Sequence, residues 1–492
     1  GRLDDYLGPY LVADLKSGRL TDEEAYRYIH SLWTMIENRR TTVNGRIIVG
    51  GKGRKHPKEA DVFLHIAMKV AKNCRYVEPQ FTLRFDKDTS EEIWDEALDA
   101  LGAGATYPTL YNDDVNVPAV MYGMRVDEKA AEQYVPFGCT EFVIQGQSTP
   151  NICINLLKLL TIYMNDGIDP IDGKRKSGPV PLKKLEEYQT FEEFYDGYKA
   201  LLDYYLDLSV KAQYHSYEVM NQHVSFLFTS LLTDDCIARG KALLDGGVRY
   251  LGGTNETYGN INTSDSLWVI RDLVFNQKKY TLRQLNDAML ANFNGYEALR
   301  KDCLNCDKYG NDLETADTMA NDLYEFVAKG VRDRGIAIGM QYFLIVISNN
   351  QLNTEWGNRT AASPDGRLSY MYMNPANNPQ GGANKSGPTA MLNSLAKFDA
   401  KYHGGSVQNI KFSPSMFNEN RAVIKSLFKT YFAKGGCHLM VTVVDKGVLE
   451  DAVEHPENYP DLIVRVSGFS AVFVDLSPNI QQELLSRVLY DK

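Results

Sequence analysis

Apolar positions recur at helical spacing in several stretches of this chain and alternate with short β-rich runs, and no fixed-period repeat is visible. That pattern predicts an α/β fold. Tyr26 to Asn38 reads as an amphipathic helix behind the capping residues Thr21, Asp22 and Glu23. Arg46 to Gly51 reads as a short strand ending in glycines, and Glu91–Leu101, Leu201–Val219, Ala316–Val331 and Ile152–Asn165 read as helices. Ser363-Pro364-Asp365-Gly366 is a turn.

Two stretches break the regularity. Asn374 to Pro388, NPANNPQGGANKSGP, is too rich in Asn, Gly and Pro for either regular element and predicts an irregular loop, with a plain surface connection as one of two evenly weighed readings. Leu439–Val444, Leu462–Val466 and Ala471–Leu476 read as β runs, and the last two are separated only by Ser467, Gly468, Phe469 and Ser470. Gly468 is therefore expected on a tight loop between buried strands.

Composition narrows the function classes. The 492 residues are 44% apolar and 24% charged, a globular balance, with a net charge of -10 and no Lys/Arg cluster suited to phosphates. No nucleic-acid partner is expected. No apolar run approaches the roughly 18 residues a bilayer span requires, so no membrane partner is expected either, and no signal peptide is visible after Gly1. Seven cysteines, at 74, 139, 153, 236, 303, 306 and 437, are odd in number and scattered. They argue against a disulfide framework and for a reducing, cytoplasmic setting. Cys303 and Cys306 form a Cys-x-x-Cys pair without the second pair that a structural zinc would need, so no metal is expected.

The chemistry-bearing candidates are few. A glycine in a tight turn is ordinary, but a glycine can also lose its α-hydrogen and share the resulting radical with its flanking amides. Gly138-Cys139-Thr140-Glu141 places a hydrogen-atom carrier two residues from a proton carrier. On an extended loop, residues two apart project to one side, so the Cys139 sulfur and the Glu141 carboxyl would address one substrate. Burial would set the carboxyl's pKa for use as general base and then acid.

These residues carry a resemblance. Arg465-Val466-Ser467-Gly468-Phe469 resembles the Arg-Val-x-Gly-Tyr signature of glycyl radical enzymes, with Phe where Tyr is commoner, and Gly-Cys-Thr-Glu resembles the Gly-Cys-x-Glu active-site loop of the same family. The two motifs stand in the family's order. Gly1–Tyr10, Asn44–Gly51, Gln80–Arg84, Pro108–Asp113, Lys308–Asp312 and Gly387–Ala390 are similar to further family segments. The resemblance implies a ten-stranded α/β barrel of two antiparallel halves, here its central and C-terminal portion, with the Cys and Gly loops meeting inside. It divides the chain into barrel residues 1–370 and a glycyl radical domain, 371–492. In the family the segment resembling Gly1–Tyr10 lies well inside the chain, so the resemblance implies that an N-terminal part is absent here, being either a separate subunit or fragment or removed by processing or truncation.

The same resemblance assigns roles. Gly468 would carry a post-translational radical, Cys139 would become the working thiyl, and Glu141 would move protons. No bound cofactor is implied, because S-adenosylmethionine and an iron–sulfur cluster belong to a radical-SAM activating partner. Gly138 before Cys139 disfavours the acyl transfer of pyruvate formate-lyase, which uses two adjacent cysteines. Glu141 disfavours the fumarate-adding synthases, and the isolated Cys437 disfavours anaerobic ribonucleotide reductase. What remains is a lyase that eliminates water, amine or sulfite from a small hydroxylated substrate, with a decarboxylase or a non-catalytic radical-domain subunit as alternatives. Gly146 to Asn151 replaces the Trp-His-Asp run of the diol dehydratases. Gln147, Thr149 and Asn151 are candidates for substrate hydrogen bonds or for helix capping, and Asn44 is a weaker one. A homo-oligomer is expected, in the cytoplasm or in a bacterial microcompartment.

Overall fold

The computed structural model describes residues 1–39, 45–147, 151–348 and 351–491. It is a mixed α/β fold. The first sheet has the order β1 (Ile47–Gly50), β2 (Phe81–Phe85), β3 (Thr109–Asn112), β11 (His438–Val443), β10 (Asn409–Phe412). Strands β1, β2 and β3 run parallel, β11 runs against β3, and β10 runs with β11. The second sheet is parallel throughout, in the order β6 (Asn151–Asn155), β7 (Gly252–Tyr258), β8 (Tyr342–Ile347), β9 (His403–Ser406). Two hairpins complete the set: β4 (Val135–Phe137) with β5 (Glu141–Val143), and β12 (Ile463–Arg465) with β13 (Ser470–Val472).

Parallel neighbours need crossovers, and the helices supply them. Pro57–Asn73 connects β1 to β2, and Glu91–Gly102 connects β2 to β3. Helices on the faces bury both sides of the strands, which is why β8, YFLIVI, is apolar throughout and entirely buried. The α/β expectation holds. Among the described residues the two sheets do not close into one ring of ten. Single bridges from Arg2 to Ile48 and from Tyr490 to Phe412 engage the two outer strands of the first sheet instead.

Most predicted elements are present with shifted ends. The helix Asp22–Asn38 carries a reciprocal capping box between Thr21 and Glu24. Glu91–Gly102 is capped by Ser90. Leu201–Val219 and Ala316–Val331 are the middles of longer helices, Phe191–His223 and Glu314–Ala337. Two expectations are corrected. Ile152 to Asn165 is not one helix: Asn151–Asn155 pairs with β7, and the helix Leu156–Met164 begins only where the Asn155 side chain caps it by accepting from the Lys158 N–H. The β-branched Ile152 and Ile154 favour the strand.

The Asn374–Pro388 connection is irregular until a helix starts at Gly387, but its first part, residues 374–379, is buried, and only later residues such as Gly382, Lys385 and Ser386 are exposed. Asn374, Asn377 and Asn378 are buried. Burial is tolerable because asparagine side chains stand in for backbone partners. Asn374 donates to the Ala376 carbonyl, and Asn378 both donates to the Asn409 carbonyl and accepts its N–H. No described helix is long and apolar enough to cross a membrane.

One ion pair ties the β4–β5 hairpin to the first sheet. Arg84, on β2, donates to both oxygens of Asp113 at 2.9 and 2.8 Å and to the Tyr134 carbonyl at 2.7 Å, immediately before β4. The Tyr134 hydroxyl donates to Asp113 and its ring lies 4.0 Å from the guanidinium. Both charged side chains are fully buried. Removing one partner strands the other charge, which costs about 3–5 kcal/mol. Arg84→Leu is expected to lower the unfolding free energy by that amount in urea titrations; a loss below about 1 kcal/mol would show that the hairpin root is held by packing alone.

Candidate active site

The Cys139 motif forms the tip of the β4–β5 hairpin, with Gly138, Cys139 and Thr140 making the turn between Phe137 and its cross-strand partner Glu141. The expected extended loop is thus a tight turn, and Glu141 reaches Cys139's neighbourhood by folding back. Its carboxylate accepts the Thr140 N–H at 2.9 Å. Glycine at 138 has two causes: its φ is +53°, and a Cβ there would lie 2.7 Å from a Glu141 carboxylate oxygen. The first residue of the motif is therefore fixed by the last.

Three separate parts of the chain press on this tip. From the entry to β1, Arg46 donates to the Gly138 carbonyl at 2.7 Å, to the Tyr111 hydroxyl at 3.3 Å and to the Gln80 side chain. From β9, Gly405 leaves so little space that a Cβ would fall 2.4 Å from the Thr140 carbonyl oxygen. From the β12–β13 loop comes Gly468. A Cβ on it would lie 2.1 Å from the Cys139 Cα, 2.4 Å from its Cβ and 2.7 Å from its sulfur. No left-handed φ demands glycine at 468; the approach of another backbone does. Cys139 is 1% exposed and Gly468 is buried.

The β12–β13 loop is held by its own arginine. Arg465 is buried, donates to the Ser467 carbonyl at 2.8 Å and to the Ser470 hydroxyl at 3.3 Å, and stacks 5.1 Å from the Tyr107 ring. Ser470 in turn donates to the Thr106 hydroxyl at 2.9 Å. On the other side, Arg487 donates to the Val466 carbonyl at 2.6 Å and pairs with Glu483.

Burial sets the proton affinities around the tip. Glu141 keeps partial solvent access yet is surrounded by protein; its carboxyl is pushed up to about 7, first by desolvation and then by the charge of Glu256. The Thr140 N–H and Arg46 pull the other way and are outweighed. His403 is held down to about 4 by burial, and His438 is also held well below the usual range by burial and by Arg465 and Arg46. Both are neutral at pH 7. That leaves a carboxyl, not an imidazole, as the group poised near neutrality.

The remaining candidates divide. The Gln147 side chain is engaged with its own hairpin, accepting from the Ile144 N–H and donating to the Phe142 carbonyl. Asn151 caps no helix; it opens β6 and donates to the Glu256 carboxylate. Thr149 and Asn44 lie outside the described residues. Cys303 and Cys306 have thiols pushed up to about 12 and about 11 by burial.

Sequence reasoning missed Arg46, Glu256, Tyr258 and Ser348. Tyr258 and Ser348 both donate to Glu256, at 2.6 and 3.0 Å. Buried parallel strands usually read as apolar runs, whereas β7 is GGTNETY, so its polarity concealed it. Arg46 was read only as the start of a strand.

Comparison with known proteins agrees with this geometry. The sequence profile described as pyruvate formate lyase-like matches residues 1–352, and the glycine radical profile matches 373–474. The chain is 29% identical to trans-4-hydroxy-L-proline dehydratase of Clostridioides difficile over 99% of its own length and 64% of that protein, and 27% identical to (2S)-3-sulfopropanediol dehydratase of Klebsiella oxytoca over 99% and 62%. Among solved structures, the C. difficile hydroxyproline dehydratase with substrate bound superposes with a TM-score of 0.91 at 27% identity, covering 100% of this chain and 64% of that one. The glycerol-bound B12-independent glycerol dehydratase of Clostridium butyricum gives 0.86 at 28%, covering 96% and 62%. The chain thus spans less than two thirds of these relatives' length. With a profile match over most of its residues and a glycine pressed onto the cysteine of a Gly-Cys-x-Glu hairpin, the chain belongs to the pyruvate formate lyase-like family and carries its glycine radical domain.

Proposed function

We propose that this chain is the radical-bearing and proton-transferring part of a glycyl radical lyase acting on a small hydroxylated substrate. The observation that carries this reading is the packing of Gly468 directly against Cys139, with no room for a side chain between them. Dehydratases among the relatives support the reaction class. The division into residues 1–370 and 371–492 is proposed with it, as are a radical-SAM activating partner, a homo-oligomer, and a further portion of polypeptide completing the barrel.

The proposed steps use the packing of Gly468 on Cys139 and the carboxyl of Glu141 beside it. Activation removes one hydrogen atom from the Gly468 α-carbon. That carbon then takes the hydrogen of the Cys139 thiol, restoring glycine and leaving a thiyl. The thiyl takes a hydrogen atom from the hydroxyl-bearing carbon of the substrate, and Glu141, as carboxylate, accepts the hydroxyl proton. The ketyl-like radical expels the leaving group with its bonding pair from the neighbouring carbon, and Glu141 returns the proton to it. The carbonyl-bearing radical recovers a hydrogen atom from Cys139. Substrate becomes a carbonyl compound and a protonated leaving group with no net oxidation. Burial of the tip excludes the water and oxygen that would quench either radical.

Anaerobic activation with a radical-SAM partner is expected to give an electron spin resonance doublet that Gly468→Ala abolishes. Cys139→Ala should keep the doublet and lose turnover. A protein that gives no doublet, or a Cys139→Ala variant that still turns over, overturns the reading.

Glu141 must be ionised to act as base, so turnover should rise as pH passes through about 7. Glu141→Gln should cost roughly 10²–10⁴-fold in rate. The same residue carries a stability signature. Its folded pKa lies above the unfolded value near 4.5, so its favourable contribution is complete below about pH 4.5 and is lost as pH rises to about 7. Glu141→Gln is therefore expected to stabilise the protein at pH 8 by up to about 3 kcal/mol, and not at pH 4. Equal melting shifts at both pH values would contradict the burial argument.

A further inference from the structure

A cavity of about 330 Å³ lies apart from the hairpin tip and the glycyl loop, and none of its lining residues belongs to either. The helix Asn260–Val269 supplies Asp265, the helix Glu297–Asn305 supplies Arg300, and Lys308 follows that helix. Arg367 comes just after the Ser363–Gly366 turn, and Gln380 and Lys385 come from the Asn374–Pro388 connection. The volume suits a small molecule, and the proposed reaction uses none of these side chains.

Asp265 is 1% exposed and only half satisfied. Its Oδ1 accepts the Tyr309 N–H at 2.9 Å, whereas its Oδ2 is buried and bonds no described group. Desolvation pushes this carboxyl up to about 7 against the pull of Lys308, so both of its forms are populated at neutral pH. Oδ2 is orphaned in either form: the carboxylate lacks a donor there, and the proton of the acid lacks an acceptor. Buried polar atoms are normally paired. Gln380 and Arg367, on the same cavity, each leave a buried atom unpaired as well, Oε1 and Nε.

Cations outnumber carboxyls in this wall, with Arg300, Lys308, Arg367 and Lys385 against Asp265 and Asp365. Both oxygens of Asp365 are engaged, by Ser363, the Arg367 N–H and Asn262. The buried Arg367 guanidinium donates through Nη1 and Nη2 to four backbone carbonyls. The buried Lys308 ammonium donates to the Cys303 and Cys306 carbonyls at 2.6 and 3.2 Å, which leaves its third N–H. Among the described residues neither forms an ion pair. Arg300 binds the Gly366 carbonyl through Nε, and its terminal nitrogens bond no described group. Carbonyls satisfy these donors without neutralising their charge, so the cavity favours an anion over a further cation. A hydroxyl suits Asp265 best, because it donates to the carboxylate and accepts from the acid.

We propose that this cavity is a second binding site, for a small carboxylate or phosphate ester that also carries hydroxyl groups. The acid group is held by Arg300, Lys308 and Lys385, and a hydroxyl completes Asp265. The site is independent of the lyase reading, since binding there needs no radical.

Isothermal calorimetry on the unactivated protein at pH 7 and low salt tests this. Glycerate and glycerol 3-phosphate are the probes, propionate and propyl phosphate their hydroxyl-free counterparts, and glycerol the uncharged control. At least one hydroxylated anion is expected to bind roughly tenfold or more tighter than its counterpart, and glycerol to give no measurable heat. Which of the two binds distinguishes a carboxylate site from a phosphate site. Asp265→Ala, with an unchanged circular dichroism spectrum, is expected to lose the tenfold advantage and keep the affinity for the counterpart. Lys385→Ala, at an exposed position, is expected to weaken the anion and its counterpart alike, by about threefold. A wild type that binds neither hydroxylated anion, or binds them no better than their counterparts, overturns the proposal whether or not Asp265→Ala folds. So does a folded Asp265→Ala protein that keeps the advantage, or a Lys385→Ala protein that binds as the wild type does.

Discussion

The contact between Gly468 and Cys139 constrains everything around it. Two chain segments approach so closely that no β-carbon fits on Gly468 between them, and since glycine brings no side chain of its own to lock the contact, both loops are held from outside. The hairpin tip is held by Arg46 on the Gly138 carbonyl and by the backbone of Gly405 against Thr140. Its root is held by the Arg84–Asp113 pair. The glycyl loop is held by Arg465 within and Arg487 without. Both sheets and the C-terminal segment are needed to keep one pair of atoms in register. A hydrogen atom transfers only at contact distance, so this scaffold is what the proposed chemistry demands.

The electrostatics follow from the same enclosure. A site tight enough to protect a radical desolvates every ionisable group in it, and desolvation acts in opposite directions on acids and bases. The histidines beside the tip become neutral and lose their usual value as proton carriers, while Glu141 rises into the range where a carboxyl serves as one. In the proposed reaction, the choice of glutamate for proton transfer follows from burial. The arrangement is costly to the fold: ionised Glu141 is held close to Glu256, and the structure keeps both.

Legibility in the sequence followed chemical type. Gly138, Cys139, Glu141 and Gly468 could be read because each is an uncommon choice at its place and because they occur as motifs. Helices and apolar strands could be read from periodicity, with errors at ends. The strand β7 could not be read, for its side chains are polar yet buried, and nothing local distinguishes GGTNETY from an exposed loop. The Asn374–Pro388 connection misled in the same way, because its asparagines serve buried backbone groups and not solvent. Long-range partners such as Arg46 and Gly138 are joined only by the fold. Position 138 shows the boundary well: the sequence showed a glycine before the cysteine, but only the structure showed that the glutamate's own carboxylate excludes anything larger.

Asn151 illustrates how the two levels join. As a residue near a helix start it has a simple local explanation, capping, and as a polar residue near Cys139 it has a functional one. The structure gives it no capping role. It begins a strand, and its amide reaches across to a carboxylate on the neighbouring strand. The consequence is that polarity in this part of the sheet is organised around Glu256, not around the hairpin tip. A radical site needs hydrogen-atom transfer at one edge and recognition of the rest of the molecule at another. At the hairpin tip Cys139 and Thr140 are buried while Phe137 is 48% exposed and Gly138 and Glu141 keep partial access, so one element offers both a closed edge and an accessible one. The polar rank on β6, β7 and β8 is closed on itself instead, its one carboxylate held by Asn151, Cys153, Tyr258 and Ser348.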